Sequence, residues 1–264
     1  MMQSDNPIGV LDSGVGGISV LKELMLALPH ENYIYFGDSL YAPYGARSAE
    51  DVCALTVNNV HKLLCRKAKA IVIACNTATS VAAAYLRQLY PNMPIIGMEP
   101  ALKPAVESAC GGCVLVMATP VTLRQEKFLS LREKFAAQST IIDLPCPGLV
   151  ELIEQGHTCD SVLKAFLMQL LKPYLQEPVD AIVLGCTHYA HIKETLLSCF
   201  DQPPHIFDGI SGTVRETTRR LAEVNLLNRQ EKAGCLTIMN SKDDPALLDL
   251  CRSLLQKEGP AECF

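Results

Sequence analysis

Two cysteines occupy the same position in two similar segments, Ala-Ile-Val-Ile-Ala-Cys75-Asn-Thr and Ala-Ile-Val-Leu-Gly-Cys186-Thr-His. Each segment is a short apolar, β-branched run that ends on a small residue and then presents a thiol. Such a run reads as a buried parallel strand, and the carboxyl end of such a strand is where open α/β sheets bind ligands. One thiol there is a candidate nucleophile. Two in matching frames imply a pseudo-symmetric site in which thiols face one substrate from opposite sides. That arrangement suits removal of a proton from one face of a carbon and its return to the other, the chemistry of an epimerisation or racemisation. Both cysteines also open helices, where the backbone dipole and free N–H groups favour thiolate. The expectation is therefore thiols shifted down from their usual ~8.5.

The neighbours of the two thiols offer suitable partners. Asn76, Thr77 and Thr187 supply amide, hydroxyl and backbone donors for a substrate carboxylate. His188, two residues after Cys186, is placed to polarise the thiol, orient it or contact substrate. Glu151 lies in Pro147-Gly-Leu-Val-Glu151, ahead of the Cys186 strand, and read alone it balances a helix dipole. Asp12-Ser13-Gly-Val-Gly-Gly17 links the first strand to a helix. Its glycines either let backbone approach an anion or make a tight turn capped by Asp12 or Ser13, and the residues leave both readings open. The loop fits neither a dinucleotide fingerprint nor a P-loop. Tyr41-Ala-Pro43-Tyr44-Gly45 is a Pro/Gly loop able to wall a pocket with an aromatic ring.

Around these residues, strand-like runs alternate with amphipathic helical stretches, the pattern of a mainly parallel sheet covered by helices. Strands are expected near Ile8–Leu11, Tyr33–Phe36, Ala70–Ala74 and Ile95–Gly97. A second series follows near Cys113–Met117, Thr140–Leu144, Ala181–Gly185 and His205–Phe207. Helices are expected over Val15–Leu28, Ala49–Lys67, Thr79–Leu89, Val121–Phe135, Ser161–Tyr174, Ala190–Cys199 and Thr213–Val224. A strand at Leu236–Met239 and a helix at Pro245–Leu255 finish the chain. Ile8-Gly-Val-Leu corresponds to Val114-Leu-Val-Met as Cys75 corresponds to Cys186, which implies a duplicated unit. The expected fold is two pseudo-symmetric, doubly wound α/β domains with mainly parallel sheets and the site in the cleft between them. The first domain takes residues 1–97 plus 209–264, its C-terminal helices packing back on it, and the second takes 98–208. The crossings fall at Gly97-Met-Glu-Pro100 and Phe207-Asp-Gly209, which are rich in turn formers.

Bulk composition narrows the class. The 264 residues are 49% hydrophobic and 19% charged with a net charge of −5, and no basic cluster is prominent, so neither nucleic acid nor an anionic membrane is an expected partner. The N-terminus lacks the pattern of a secretory signal and no apolar stretch approaches the roughly 20 residues that span a bilayer, so a cytoplasmic location is expected. Twelve cysteines invite a disulfide or zinc reading. A disulfide scaffold is short and exported, and Cys110-Gly-Gly-Cys113 lacks a second ligand pair, so no metal is expected. Cys53, Cys65, Cys199, Cys235 and Cys251 read as buried small hydrophobes.

Four stretches, Ile8-Gly-Val-Leu-Asp-Ser-Gly-Val-Gly-Gly17, Tyr35-Phe-Gly-Asp-Ser39 with Pro43-Tyr-Gly45, Ala74-Cys-Asn-Thr-Ala78 and Leu184-Gly-Cys-Thr-His-Tyr189, together resemble the glutamate racemases, cofactor-independent members of the aspartate/glutamate racemase superfamily. The resemblance implies two-base racemisation of L- and D-glutamate without a cofactor. It implies that Cys75 serves the D-isomer with Asp12 in support, and Cys186 the L-isomer with Glu151 and His188 in support. Asp12, Ser13, Pro43, Tyr44, Gly45, Asn76, Thr77, Thr187 and His188 are then substrate contacts, with Thr119 and Thr122 lining the site from the second domain. It further implies a homodimer that supplies D-glutamate for peptidoglycan. The chain departs from the family pattern in lacking an Arg within Ser39-Leu-Tyr-Ala-Pro43, in carrying Ala190 where a Pro is usual, and in pairing Asp208 with Gly209.

Three alternatives are weighed against this. A racemase of the same superfamily acting on aspartate or another acidic amino acid keeps the paired thiols and changes only the pocket. A cysteine hydrolase built on Cys186 and His188 leaves Cys75 without a role. A non-catalytic two-domain binding module needs neither thiol.

Overall fold

The computed structural model describes residues 3–242 and 244–256. The chain runs β1 (Ile8–Asp12), α1 (Ile18–Ala27), β2 (Tyr33–Gly37), α2 (Ala49–Cys65), β3 (Ala70–Ile73), α3 (Asn76–Leu89) and β4 (Ile95–Gly97). It continues through α4 (Leu102–Ala109), β5 (Cys113–Ala118), α5 (Pro120–Arg124), α6 (Glu126–Phe135), β6 (Thr140–Pro145), α7 (Leu149–Glu154), α8 (Ser161–Leu171), β7 (Ala181–Leu184), α9 (Lys193–Leu197) and β8 (His205–Asp208). It closes with α10 (Ile210–Glu223), β9 (Leu236–Asn240) and α11 (Pro245–Gln256).

The strands form two all-parallel sheets, ordered β4-β3-β1-β2-β9 and β6-β5-β7-β8. Read from the β8 edge, the second sheet repeats the order of the first, with β5 in the place of β1 and β7 in that of β3. The registers repeat as well: Ile8 pairs with Ala70, and Val114 with Ala181. The duplication expected from the two cysteine segments is therefore a duplication of topology. Every residue of β1, β2, β3 and β7 is buried, as parallel strands covered on both faces require.

The return of the chain ties its end to the first sheet. Ile210, Leu221, Cys251 and Leu254 of α10 and α11 join Ile18, Val20, Leu21 and Leu24 of α1 in one apolar cluster. β9 adds an edge strand beside β2, from Tyr33 opposite Leu236 to Gly37 opposite Asn240. The assigned C-terminal stretch 209–264 extends past this helix, and Asp243 and residues 257–264 lie outside the described residues. The two crossings touch: a Cβ at Gly209 would lie 2.2 Å from the Glu99 carbonyl oxygen, so this position admits no side chain.

Local differences from expectation have local causes. One helix was expected over Val121–Phe135, but Gln125 adopts an extended conformation (φ −71°, ψ 136°) and divides it into α5 and α6. The break carries no Gly or Pro to announce it. Helices α4 and α7 add to the expected set. After Cys186 the chain makes a 3₁₀ turn over Thr187–Ile192 before the short α9, in place of one helix over Ala190–Cys199. All eleven cysteines among the described residues are free thiols, and Cys65 and Cys235, expected inside, are exposed. Among the described residues no helix is long and apolar enough to cross a membrane.

Candidate active site

β1 and β3 are neighbours, so their carboxyl ends bring Asp12, Ser13 and Cys75 together. Cys75 is the N-cap of α3, and its sulfur accepts the Ala78 N–H at 3.4 Å. Its thiol donates to Ser13 Oγ at 3.7 Å. Asp12 is fully buried, and its Oδ1 accepts the Gly14 N–H at 2.9 Å. The expected lowering of this thiol is reversed. Burial, then the charge of Asp12, pushes Cys75 up to about 12 despite its hydrogen bonds with the Ala78 N–H and Ser13. The helix terminus is outweighed by desolvation.

On the second sheet, β5 and β7 place Cys186 across the cleft, near enough that its charge also raises Cys75. His188 Nδ1 lies 3.7 Å from Cys186 Sγ, and His188 Nε2 lies 2.7 Å from Glu154 Oε1. Burial alone would push the imidazole down, but hydrogen bonds and charge from Cys186 and Glu154 hold it well above its usual value. Glu154, which burial would raise, is instead held low by His188 and by the Val15 N–H, which donates to Oε1 at 3.0 Å.

Hydroxyls and loops close the cleft. Thr187 Oγ1 donates to Asp12 Oδ2 at 3.0 Å, joining the two sheets' strand ends. Thr77 Oγ1 lies 2.9 Å from Thr119 Oγ1 and 3.3 Å from Thr122 Oγ1, while Thr119 and Thr122 are 3.0 Å apart. Thr119 also caps α5 by accepting the Thr122 N–H. Tyr44 is buried, and Gly45 lies flat against Thr119, where a Cβ would be 2.7 Å from the threonine's Cβ. Asn76 is 3% exposed, and neither its Oδ1 nor its Nδ2 meets a protein partner among the described residues, so its amide is free to read a ligand.

Two thiols thus stand at equivalent strand ends of the two sheets, one beside a carboxylate and the other beside an imidazole–carboxylate pair. Residues 8–254 match the family model described as Asp/Glu/Hydantoin racemase. The chain belongs to that racemase family. It is 50% identical over 255 residues to a glutamate racemase of Clostridium acetobutylicum, covering 97% of this chain and 99% of the relative. A glutamate racemase of Clostridium perfringens is 48% identical over 250 residues, covering 95% and 96%. The crystal structure of a glutamate racemase from Francisella tularensis, in complex with D-glutamate, superposes with a TM-score of 0.83 at 28% identity, covering 97% of this chain and 96% of that one. Members of a racemase family are isomerases.

The structure gathers Asp12, Ser13, Tyr44, Gly45, Cys75, Asn76, Thr77, Thr119, Thr122, Cys186, Thr187 and His188 at this cleft, with Pro43 leading into the Tyr44 turn. Glu151 is the exception. It stands on the exposed side of α7, and the carboxylate that meets His188 is Glu154, at the other end of that six-residue helix. Helical phase distinguishes the two. Leu149, Val150 and Ile153 form the buried face of α7, and Glu154 lies nearer that face than Glu151 at about 100° per residue. The glycine loop also gains a function that its sequence left open. A Cβ at Gly14 would lie 1.9 Å from Glu154 Oε1, and one at Gly16 2.4 Å from His188 Nδ1. Its glycines admit the facing side chains of the other half.

Proposed function

We propose that this chain interconverts L- and D-glutamate by two-base proton transfer between Cys75 and Cys186. The observation that carries the reading is the unequal setting of the two thiols. Cys186 stands 3.7 Å from His188, whose imidazole is held well above its usual value, whereas burial and Asp12 keep Cys75 protonated. In the L-to-D direction we assign Cys186 as the base and Cys75 as the acid. Cys186 takes the α-proton of L-glutamate, and the Cα–H electron pair moves into the adjacent carboxylate as an enediolate-like charge. Cys75 gives its S–H proton to the opposite face, leaving D-glutamate, a Cys75 thiolate and a Cys186 thiol. In reverse the roles exchange, and Asp12 beside Cys75 favours return of the proton.

An amino-acid α-proton is a very weak acid, so the site must aim preorganised donors at the developing charge in a dry cleft. The Thr77–Thr119–Thr122 hydroxyls, the Asn76 amide and the N–H groups opening α3 can do so, while the Asp12 carboxylate suits an ammonium. His188 and Glu154 orient and charge Cys186. This proton accounting needs no external electron sink. We take 1–97 with 209–264 and 98–208 as the two units that close on substrate. Similarity to the racemases supports a homodimer acting in the cytoplasm and a product destined for peptidoglycan.

Circular dichroism of L-glutamate, then of D-glutamate, with purified protein under reducing conditions and without added cofactor tests the reading. Both signals decaying to zero is the expected result. In D2O, Cys75→Ser and Cys186→Ser should each abolish racemisation while sparing α-proton exchange of one enantiomer. Inert glutamate with active aspartate moves the substrate. Silence with both removes the two-thiol scheme.

A further inference from the structure

The scheme above leaves one buried carboxylate at the same edge unused. Asp38 follows β2 directly, its N–H donates to the Asp12 carbonyl at 3.0 Å, and it is 1% exposed. Its Oδ2 accepts twice, from the Tyr44 hydroxyl at 2.5 Å and from Asn59 Nδ2 at 2.7 Å. Asn59 Oδ1 accepts the Lys62 ammonium at 2.9 Å, and that ammonium lies 4.9 Å from the centre of the Phe36 ring. The Asn59 amide is therefore held between a carboxylate and an ammonium, which fixes which way it faces. The Tyr44 hydroxyl, raised first by burial and then by Asp38, stays a donor throughout the working range.

A buried charge is a costly way to fill space, since an apolar residue of similar size does so without desolvation. What this charge fixes is the turn bearing Tyr44. The next residue, Gly45, packs on Thr119, and Thr119 belongs to the hydroxyl trio shared with Thr77 and Thr122. A short path thus leads from Asp38 through Tyr44 and Gly45 to the carboxylate-binding hydroxyls. Three elements meet in it: the end of β2, the Pro43–Gly45 wall, and α2 with Asn59 and Lys62.

We propose that Asp38, backed by Asn59 and Lys62, is a positioning residue that latches the Pro43–Gly45 wall against Thr119 and so sets the substrate-carboxylate end of the cleft. The inference rests on the two-thiol reading of the site. It concerns substrate binding and not the proton transfers, because none of these three groups reaches a thiol. Loss of the latch removes interactions made equally in ground and transition states, which raises KM and leaves kcat.

The test compares Asp38→Leu, Asp38→Asn, Tyr44→Phe and Lys62→Met by polarimetric kinetics with both enantiomers, alongside thermal melting. Asp38→Leu should raise KM for L- and D-glutamate together by about 10-fold or more, with kcat within about 3-fold, as loss of a positioning contact does. Asp38→Asn should keep KM within about 3-fold, because a single amide oxygen can accept both the Tyr44 and Asn59 donors. Tyr44→Phe should raise KM in the same sense, and Lys62→Met should do so more weakly. These two carry the test if Asp38→Leu does not fold. Unchanged KM in Tyr44→Phe and Lys62→Met overturns the proposal. So does a fall in kcat at constant KM, or an Asp38→Asn variant as impaired as Asp38→Leu. Failure of the underlying reading is distinguishable, because the unmodified protein would then racemise neither enantiomer.

Discussion

Thr187 donates its hydroxyl to Asp12 Oδ2 at 3.0 Å, from the strand end of one sheet to that of the other. The exchange is reciprocal: Glu154, from the second half, accepts the Val15 N–H of the first. Each half lends a group to the surroundings of the opposite thiol. Neither thiol's electrostatic setting is complete until the halves meet.

Replacing Thr187 by Val keeps the shape and removes the donor. The Asp12 carboxylate then lacks a partner on Oδ2 in a fully buried position, at a cost of about 1–3 kcal/mol. The expected outcome is a fall in kcat/KM of about 10- to 100-fold. Proton exchange at the face served by Cys75, which Asp12 adjoins, should suffer more than exchange at the face served by Cys186. NMR of α-proton exchange in D2O, enantiomer by enantiomer, measures the difference.

The Glu154–His188 contact makes a contrast between two carboxylates three residues apart. Glu154→Gln removes the charge that holds His188 protonated, and kcat should fall by about 10- to 100-fold, within the range of positioned acid–base groups. Glu151→Gln, on the exposed side of α7, should leave kcat within about 2-fold. Equal effects would show that charge in the region, and not the 2.7 Å contact, supports Cys186.

The two carboxylates also show where sequence reasoning stops. Cys75 and Cys186 were legible because a strand residue's position along the sheet is set by counting from an apolar run, and both runs carry the same count. That one sheet repeats the other followed from the duplication, whereas the order of strands within each sheet came only with the fold. Which Glu meets His188 depends on the tilt of a six-residue helix whose ends no capping residue marks, since Gly148 precedes it without a side-chain cap. The partner of Asp12 was equally hidden, because Thr187 reaches it only when the two halves are docked. The sign of the Cys75 shift was hidden for a third reason: a helix N-terminus is visible in sequence, but the burial that outweighs it belongs to the assembled fold.

The glycine loop yields a separation of activity from stability. At Gly14 an added methyl would meet the mobile end of Glu154, which can swing aside, so Gly14→Ala should melt near the unmodified protein while losing most activity. Gly16→Ala meets the fixed His188 ring and should lose activity and some stability. Gly212 is the control: it lies in α10 with no neighbour to clash, and Gly212→Ala should stabilise by about 0.5–1 kcal/mol with kinetics unchanged. Differential scanning calorimetry beside racemisation rates checks all three.

Alkaline pH should unfold this chain earlier than its charge alone would. Cys75, Cys146 and Cys251 are held near 12, in each case chiefly by burial, against 9.0 for an ordinary thiol. Between those limits the native state keeps protons that the unfolded chain has lost. Stability is then fully present below pH 9 and falls as pH rises towards 12, by up to about 1.4 kcal/mol per pH unit for each thiol. Tyr33, Tyr35 and Tyr44, all raised by burial above 10.0, add the same sign from pH 10 upward. Lys69, whose ammonium burial holds below its usual value, opposes them as a single group. Urea midpoints at pH 8, 9.5 and 10.5 should therefore fall with steepening slope, and Cys251→Ala should flatten the first interval. A midpoint constant to pH 10.5 would mean that these thiols ionise in the native state as readily as in the unfolded chain, and that burial does not hold them up.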